Sequence, residues 1–263
     1  MTKLLVARIR KIRRRVIVLL VVWIILLVAM LSFLSALVAI FNSNPEGRTF
    51  MSLSWAGYII SQNFNSQLGV TAIEASWTVP QVNASASDGY SSAWIGIGGQ
   101  TDKTLIQVGT EHDLAGGQET YHAWYEMLPN FSVTINGLTI APGDTIVASL
   151  TLIDSGANVW NIQLSDTTNG QAFNKNVVYN STLSSGEWIV ERPTINKQIS
   201  TLCDFGNVPF SNCQINVNNV VGSIGNFSYS KIQMTNQLTT QLASGSTLTP
   251  DGSSFTVSYE AGN

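Results

Sequence analysis

Beyond residue 52 the chain consists of short runs in which polar and apolar residues alternate, separated by Gly, Asn, Asp and Ser. The runs are rich in aromatic and β-branched residues, and no long helical period interrupts them, which is the pattern of β-strands. The fourteen predicted strands cover residues 53–61, 70–79, 89–97, 103–111, 119–128, 131–136, 144–153, 158–165, 171–179, 186–192, 198–205, 213–221, 227–234 and 254–261. This spacing predicts one all-β sandwich domain over residues 53–263.

The N-terminal part of the chain has a different character. Residues 1–15 carry seven basic residues and no acid, and residues 16–41 form an uncharged run of 26 residues. This run exceeds the roughly 20 residues that span a bilayer and the ~7–15-residue core of a signal peptide. We therefore predict a basic cytoplasmic segment at 1–15, one transmembrane signal-anchor helix at 16–41 and a tether at 42–52. The rest of the chain would lie outside the cell, or be secreted if the N-terminal segment is cleaved.

The charge balance of the exported part excludes one class of partner. Residues 42–263 carry all 16 acidic residues and six of the 13 basic ones, so their net charge is near −10. No basic patch is left for nucleic acid, and no nucleic-acid partner is expected. Only 22 of these 222 residues are charged, so few charges would repel one another once the carboxylates are protonated. The composition favours a domain that works in an acidic environment.

The cysteines and histidines are few. Cys203 and Cys213 are the only cysteines, and in an oxidising compartment they predict a disulfide across a short loop. Two cysteines alone make an improbable metal site. The two histidines, His112 and His122, lack the two-His spacing of metalloproteases. Neither a metal nor any other cofactor is therefore expected.

Four predicted strands each present one face that mixes polar side chains with Trp or Gly. Side chains two residues apart share a face, and the sets so formed are Trp94 with Gly98, Gln107 with Glu111, His122 with Trp124 and Glu126, and Glu187 with Glu191. The intervening Ile106, Val108, Trp188 and Val190 should face the core. Aromatic walls, a few polar groups and glycines that leave room are typical of a ligand-binding face. The solvent-facing side of a half-buried strand would show the same pattern, so pattern alone leaves both interpretations open.

Six motifs narrow the choice because they occur in an order that is known from one family. They are Ser54-Trp55-Ala56-Gly57, Ala75-Ser76-Trp77-Thr78-Val79-Pro80, Trp94-Ile95-Gly96-Ile97-Gly98-Gly99, Leu105-Ile106-Gln107-Val108-Gly109, Ala123-Trp124-Tyr125-Glu126-Met127-Leu128-Pro129 and Gly186-Glu187-Trp188-Ile189-Val190-Glu191-Arg192-Pro193. The series resembles the glutamic peptidases (eqolisins, peptidase family G1), strongly over residues 53–193 and loosely beyond. With its predicted anchor, the chain looks like a membrane-anchored, prokaryotic-type member.

The resemblance implies a concanavalin-like sandwich of two large antiparallel sheets. It also implies acid endopeptidase activity on polypeptide substrates, carried by a monomeric catalytic domain. The family's catalytic Gln and Glu correspond to Gln107 and Glu191. Its tryptophan near the site corresponds to Trp124, and its supporting glutamate corresponds to Glu126. We expect Trp94 to support the same site.

Two positions depart from the fungal members of the family, because Gly98 and His122 each stand where those members carry an aspartate. The departures leave the catalytic pair intact but change how its hydrogen-bond network is supported. In the chemistry that the resemblance implies, ionised Glu191 takes a proton from a water as it attacks the scissile carbonyl. Gln107 holds that water and donates to the oxygen on which negative charge develops.

Two other functions fit part of the pattern. A glycan-binding or glycoside-hydrolysing sandwich would use Trp94 and Trp124 against a sugar, with Glu126 and Glu191 as an acid–base pair. A catalytically inactive surface binding domain would keep the fold but not the chemistry. The intact pair of Gln107 and Glu191 favours the peptidase over both.

Overall fold

The computed structural model describes residues 47–61, 69–100 and 103–260. Within these ranges the chain forms eighteen strands and a 3-10 turn at Ile224–Asn226. The strands are β1 (Thr49–Ser52), β2 (Trp55–Ser61), β3 (Val70–Thr78), β4 (Gly89–Gly98), β5 (Leu105–Ala115), β6 (Gln118–Met127), β7 (Val133–Thr134), β8 (Thr145–Asp154), β9 (Val159–Asp166), β10 (Gln171–Val178), β11 (Ser185–Glu191), β12 (Thr194–Ile195), β13 (Gln198–Ile199), β14 (Asn207–Val217), β15 (Val220–Ser223), β16 (Tyr229–Thr235), β17 (Gln241–Gly245) and β18 (Phe255–Tyr259).

The strands predicted between residues 53 and 192 correspond to β2 to β11, with ends that differ by a few residues. Outside this part the predictions were less accurate. The predicted tether contains β1, which pairs in parallel with β16. The run 198–205 holds only the two-residue strand β13, and β17 was missed. The start of β14 was also missed, because Gly206, Pro209 and Asn212 give this stretch the composition of a loop.

The strands form one continuous hydrogen-bonded path in the order β10-β9-β8-β3-β14-β18-β17-β16-β2-β11-β4-β5-β6-β7. All pairs along this path are antiparallel. Strands β3, β8, β9 and β14 of one half pack against β4, β5 and β11 of the other. The predicted all-β sandwich of antiparallel sheets is confirmed, and its two layers are joined through the short strands β17 and β18.

Alternation along the strands sorts the side chains of the site-bearing half into two sets. Ile106, Val108, Trp188 and Val190 are fully buried in the main core between the layers, as predicted. On the opposite face a smaller apolar cluster is formed by Ile59, Trp94, Leu105, Trp124, Ile189 and Ile232. The face that carries the polar residues therefore has its own rigid apolar base.

The predicted disulfide is wrong, because Cys203 and Cys213 are both free and buried. Cys213 packs in the main core, whereas Cys203 packs in a separate cluster with Val82 and Leu114. An extended strand rises about 3.3 Å per residue, so β14 carries Cys213 roughly 20 Å from Asn207. Disulfides need Cα atoms within about 7 Å, and a short sequence separation does not bring two residues together when a strand lies between them.

Within residues 47–61, 69–100 and 103–260, no helix has the length and apolar character needed to cross a membrane. The predicted basic segment at 1–15 and the predicted signal-anchor at 16–41 lie outside the described residues, as does the tether up to residue 46.

Candidate active site

Strands β2, β11, β4, β5 and β6 lie side by side and bring together side chains that are far apart in sequence. Glu191 on β11 is flanked by Trp55 on β2 and Ser92 on β4. Ser92 in turn pairs with Glu111 on β5, and Glu111 pairs with His122 on β6. One row of polar side chains therefore crosses five neighbouring strands.

A second polar position lies four residues along β5 from this row. Gln107 pairs with Glu126 on β6. Between the two rows, Trp94 and Trp124 are the cross-strand neighbours of Gly109. A Cβ atom at Gly109 would lie 2.5 Å from Trp94 Cβ, so glycine is needed here for the Trp94 side chain to lie across the strand.

A cleft of about 510 Å³ opens over these strands. Of the predicted site residues, those that line it are Gln107, His122, Trp124, Glu126 and Glu191. The sequence analysis did not assign the remaining lining residues to the site, which include Trp55, Tyr90, Ser92, Glu111, Asp113, Phe131 and Ile195. The cleft therefore joins four carboxyl groups and one amide to aromatic and aliphatic walls.

Glu191 is held by two tryptophans. Trp94 Nε1 donates a 2.9 Å hydrogen bond to Glu191 Oε2, and the Trp55 side chain bonds the same carboxyl group. The two indoles contact edge to face, with ring centroids 5.1 Å apart. The pKa of Glu191 is raised to about 7, chiefly by burial of the carboxyl and also by nearby Glu126, while the two indole donors oppose the shift. Glu191 is therefore protonated through most of the acid range and ionises near neutrality.

Gln107 is 5% exposed and is oriented by Glu126. Its Nε2 donates a 2.5 Å hydrogen bond to Glu126 Oε2. Its Oε1 is buried and has no hydrogen-bond partner among the described residues. Burial raises the pKa of Glu126, and hydrogen bonds from Gln107 and from the backbone of Ser132 oppose this shift. A buried acceptor without a partner is costly unless water or a ligand satisfies it, so Gln107 Oε1 is suited to hold a water in the cleft.

Two further carboxyl groups, Glu111 and Asp113, lie on the cleft face of β5. The pKa of Glu111 is raised to about 9, chiefly by burial and also by the neighbouring Asp113 and Glu191. Burial also raises the pKa of Asp113 to about 7. The sequence signal available for Glu111 and Asp113 was the alternation along β5, which places both on the same strand face as Gln107. It had grouped Glu111 with Gln107, but it gave no reason to extend the site along the strand.

Ser92 links the neighbouring strands β4, β5 and β6 through hydrogen bonds of its hydroxyl group. Trp124 Nε1 donates to Ser92 Oγ at 3.2 Å, and Ser92 Oγ donates to the backbone oxygen of Thr110 at 3.1 Å. The Trp124 ring is thereby fixed as a wall of the cleft. His122, which also lines the cleft, has its pKa lowered by burial.

Two predicted site residues do not line the cleft. Trp94 is completely buried and lies beneath the cleft, where it bonds Glu191 and packs against Trp55. Gly98 has φ of +89°, and a Cβ atom there would lie 2.4 Å from the backbone oxygen of Thr104. An aspartate at position 98 would therefore require a different backbone, because L-residues with a side chain rarely adopt this conformation.

The described part of the chain holds no group of three or more His, Cys, Asp or Glu side chains placed to bind a metal ion.

Two fungal proteins are similar to the chain in sequence. Aspergillopepsin-2 of Aspergillus niger is 29% identical over 187 residues, which cover 62% of this chain and 64% of the relative. Scytalidopepsin B of Scytalidium lignicola is 30% identical over 164 residues, which cover 60% of this chain and 58% of the relative. The chain thus spans about three fifths of the length of both relatives.

The fold is similar to that in the crystal structure of scytalido-glutamic peptidase with a transition state analog inhibitor. The TM-score is 0.67 at 23% identity, and the match covers 80% of this chain and 99% of that chain. The profile of the Peptidase A4 family matches residues 53–259, most of the chain. The chain therefore belongs to the Peptidase A4 family.

Proposed function

We propose that the chain is a glutamic endopeptidase that hydrolyses polypeptides with Glu191 as general base and Gln107 as oxyanion donor. One observation carries the proposal. The same cleft contains a carboxyl group that two indoles hold and a buried amide whose oxygen has no partner among the described residues. The reaction needs a base and an amide. The amide oxygen holds the attacking water, and the amide NH2 donates to the oxyanion.

In the first step Glu191, in its ionised form, takes a proton from a water that Gln107 Oε1 holds, and the water oxygen attacks the scissile carbonyl carbon. One hydrogen of the Gln107 amide bonds Glu126. The other hydrogen donates to the carbonyl oxygen as negative charge develops there. Because the amide is neutral, it donates at any pH and does not repel the charge on Glu191.

In the second step the protonated Glu191 gives its proton to the leaving amine as the C–N bond breaks. The carboxylate is regenerated, and the products are a carboxylic acid and an amine. A single group serves best as both base and acid when its pKa lies close to the working pH. The pKa of Glu191, which burial raises to about 7, suits both roles.

The protonation state of the neighbouring carboxyl groups affects how easily Glu191 ionises. Burial raises the pKa of Glu111 to about 9 and that of Asp113 to about 7, so both are largely neutral in mild acid. A neutral Glu111 does not oppose the ionisation of Glu191, whereas a charged one would. We therefore expect activity to rise from mild acid to about pH 7, as Glu191 ionises while Glu111 is still neutral.

We also propose that the enzyme is a membrane-anchored, prokaryotic-type family member. The seven basic residues of segment 1–15 and the uncharged run 16–41 support an N-terminus in the cytoplasm and a catalytic domain outside the cell. If the N-terminal segment is cleaved, the domain is secreted. Cell fractionation combined with N-terminal sequencing of the mature protein tests this arrangement.

A fluorogenic-peptide assay from pH 2 to 8, with and without a metal chelator, tests the reaction. We expect Gln107→Ala and Glu191→Gln to lower kcat by at least roughly 10²–10³-fold. The matched controls Gln163→Ala and Glu74→Gln change exposed residues outside the cleft and should keep full activity. Full activity of either cleft variant rejects the assignment. Cleavage of glycosides instead of peptides would favour a glycoside hydrolase, and ligand binding without any turnover would favour an inactive binding domain.

A further inference from the structure

A second groove, of about 600 Å³, is lined by Arg192, the residue that follows Glu191. The segment that follows Glu191 separates the groove from the cleft, because Pro193 and Ile195 line the cleft and Arg192 lines the groove. Strand β13 of the short β12–β13 hairpin contributes Ile199 to the groove. One chain segment therefore contributes side chains to both the cleft and the groove.

Large aliphatic side chains converge on this groove while remaining open to solvent. Leu53 is 40% exposed, Ile199 is 41% exposed and Leu238 is 84% exposed. Single exposed aliphatic residues are common on protein surfaces. Three of them around one concave surface are typical of a binding site.

The turn that carries Leu238 is well ordered by hydrogen bonds. Asn236 Oδ1 accepts from the backbone amides of Leu238 and Thr240, both at 2.9 Å. The Thr239 amide donates to the Asn236 carbonyl at 3.1 Å. The backbone of this turn is therefore ordered before any ligand arrives, which lowers the entropic cost of binding beside Leu238.

Arg192 links the walls of the groove through hydrogen bonds from its guanidinium group to backbone carbonyl oxygens. Its Nε donates to the Leu53 carbonyl at 2.6 Å, and its Nη1 and Nη2 lie 3.5 Å from the carbonyl oxygens of Ser200 and Thr235. Arg192 is the only charged residue among the described residues that line the groove. The remaining lining is uncharged, with the amides of Gln198, Asn236 and Gln237 beside the aliphatic side chains, so the groove suits a neutral side chain, in contrast to the cleft with its carboxyl groups.

We propose that this groove is a substrate subsite that binds a large aliphatic or aromatic side chain of the polypeptide cleaved beside Glu191. The inference rests on the proposed peptidase function and adds a substrate class. Preferred substrates carry a bulky apolar residue on the side of the scissile bond that runs toward Arg192. The exposed faces of Ile199 and Leu238 provide the apolar contact.

The test measures binding without turnover, in the full chain carrying Glu191→Gln. Fluorescence anisotropy compares labelled octapeptides in which Leu, Phe or Ser is placed at each position in turn. We expect one position at which Leu or Phe binds about 10-fold or more tighter than Ser, the usual discrimination of an apolar pocket. In the same background, Leu238→Asn and Ile199→Asn should remove this preference. Val178→Asn and Val220→Asn, at valines that are 74% and 59% exposed and outside the groove, should keep it.

The outcomes separate the subsite from the catalytic proposal. Absence of any positional preference, or a preference that survives in both groove variants with unchanged Tm, overturns the subsite. A protein with native Glu191 that cleaves peptides but shows no such preference keeps the peptidase and rejects the subsite. A protein that binds the Leu peptide selectively but cleaves nothing keeps the subsite and rejects the peptidase.

Discussion

Trp94 Nε1 donates a 2.9 Å hydrogen bond to Glu191 Oε2 from a side chain that is itself fully buried. A donor of this kind stabilises the ionised carboxylate and so opposes the effect of burial, which raises the pKa of Glu191 to about 7. Trp94 does not itself line the cleft, so it should affect the ionisation of Glu191 and leave substrate binding to other residues.

Replacing Trp94 by Phe should therefore raise the pKa of Glu191 further. The rising limb of the kcat/KM profile, which follows ionisation of the free enzyme's base, should move to higher pH with little change in its plateau. The control Trp77→Phe also removes a buried indole hydrogen bond, in that case to Thr110 Oγ1. An equal shift in both variants, or no shift in Trp94→Phe, would contradict this role of Trp94.

Glu126 should act on the reaction through Gln107. Its carboxylate accepts the 2.5 Å hydrogen bond that orients the amide, so Glu126→Ala should lower kcat by up to about 10²-fold through misplacement of Gln107. Glu126→Gln keeps an accepting oxygen and should restore part of the activity. Because Glu126 also raises the pKa of Glu191, both variants should move the rising limb to lower pH, opposite to Trp94→Phe. A loss of activity without this shift would indicate general structural damage.

The two cysteines should make no contribution to stability as a covalent link. Cys203 and Cys213 are free and lie in different apolar clusters. We expect two titratable thiols in the unfolded protein before any reduction, and the same Tm with and without a reductant. Thiol titration under denaturing conditions checks this directly. A Tm that drops on reduction would show that the two residues are bonded.

Local pattern was enough to predict which face of a strand each residue occupies. The period of two placed Gln107 opposite Ile106 and Val108, because side-chain direction depends only on the strand itself. Motif order was enough to predict the family and the sandwich. Neither of these two predictions requires knowing which strands become neighbours.

The site residues that the sequence analysis missed are brought to the cleft by pairing between strands that are distant in sequence. Trp55 reaches Glu191 because β2 lies beside β11, about 130 residues later in the chain. The position of Asp113 in the cleft likewise follows from how far the cleft extends along β5. The disulfide prediction failed for a different reason. It relied on the short sequence separation of the two cysteines, but the extended strand β14 runs between them.

The stability of the domain should depend on pH through four buried groups. The folded pKa is raised for Glu111 from 4.5 to about 9, for Asp113 from 3.8 to about 7 and for Glu191 from 4.5 to about 7. Each of these groups contributes stability that is fully present below its unfolded pKa and is lost as the pH rises through its folded pKa. Burial lowers the pKa of His112 from 6.5 to about 3, so its contribution is present above pH 6.5 and is lost as the pH falls through 3.

The opposing slopes place maximum stability near about pH 4, because three carboxyl groups outweigh one histidine above that pH and the histidine acts alone below it. From pH 4.5 to 7 we expect Tm to fall by several degrees per pH unit. Each group contributes up to about 1.4 kcal/mol per unit, and a domain of this size loses roughly 2–4 °C per kcal/mol. Thermal melts across pH 3–9 measure the curve. Glu111→Gln should make the fall shallower, most clearly between pH 7 and 9, whereas the exposed control Glu74→Gln should not. A Tm that rises from pH 5 to 8 would contradict the assignment of these groups as protonated in the folded state.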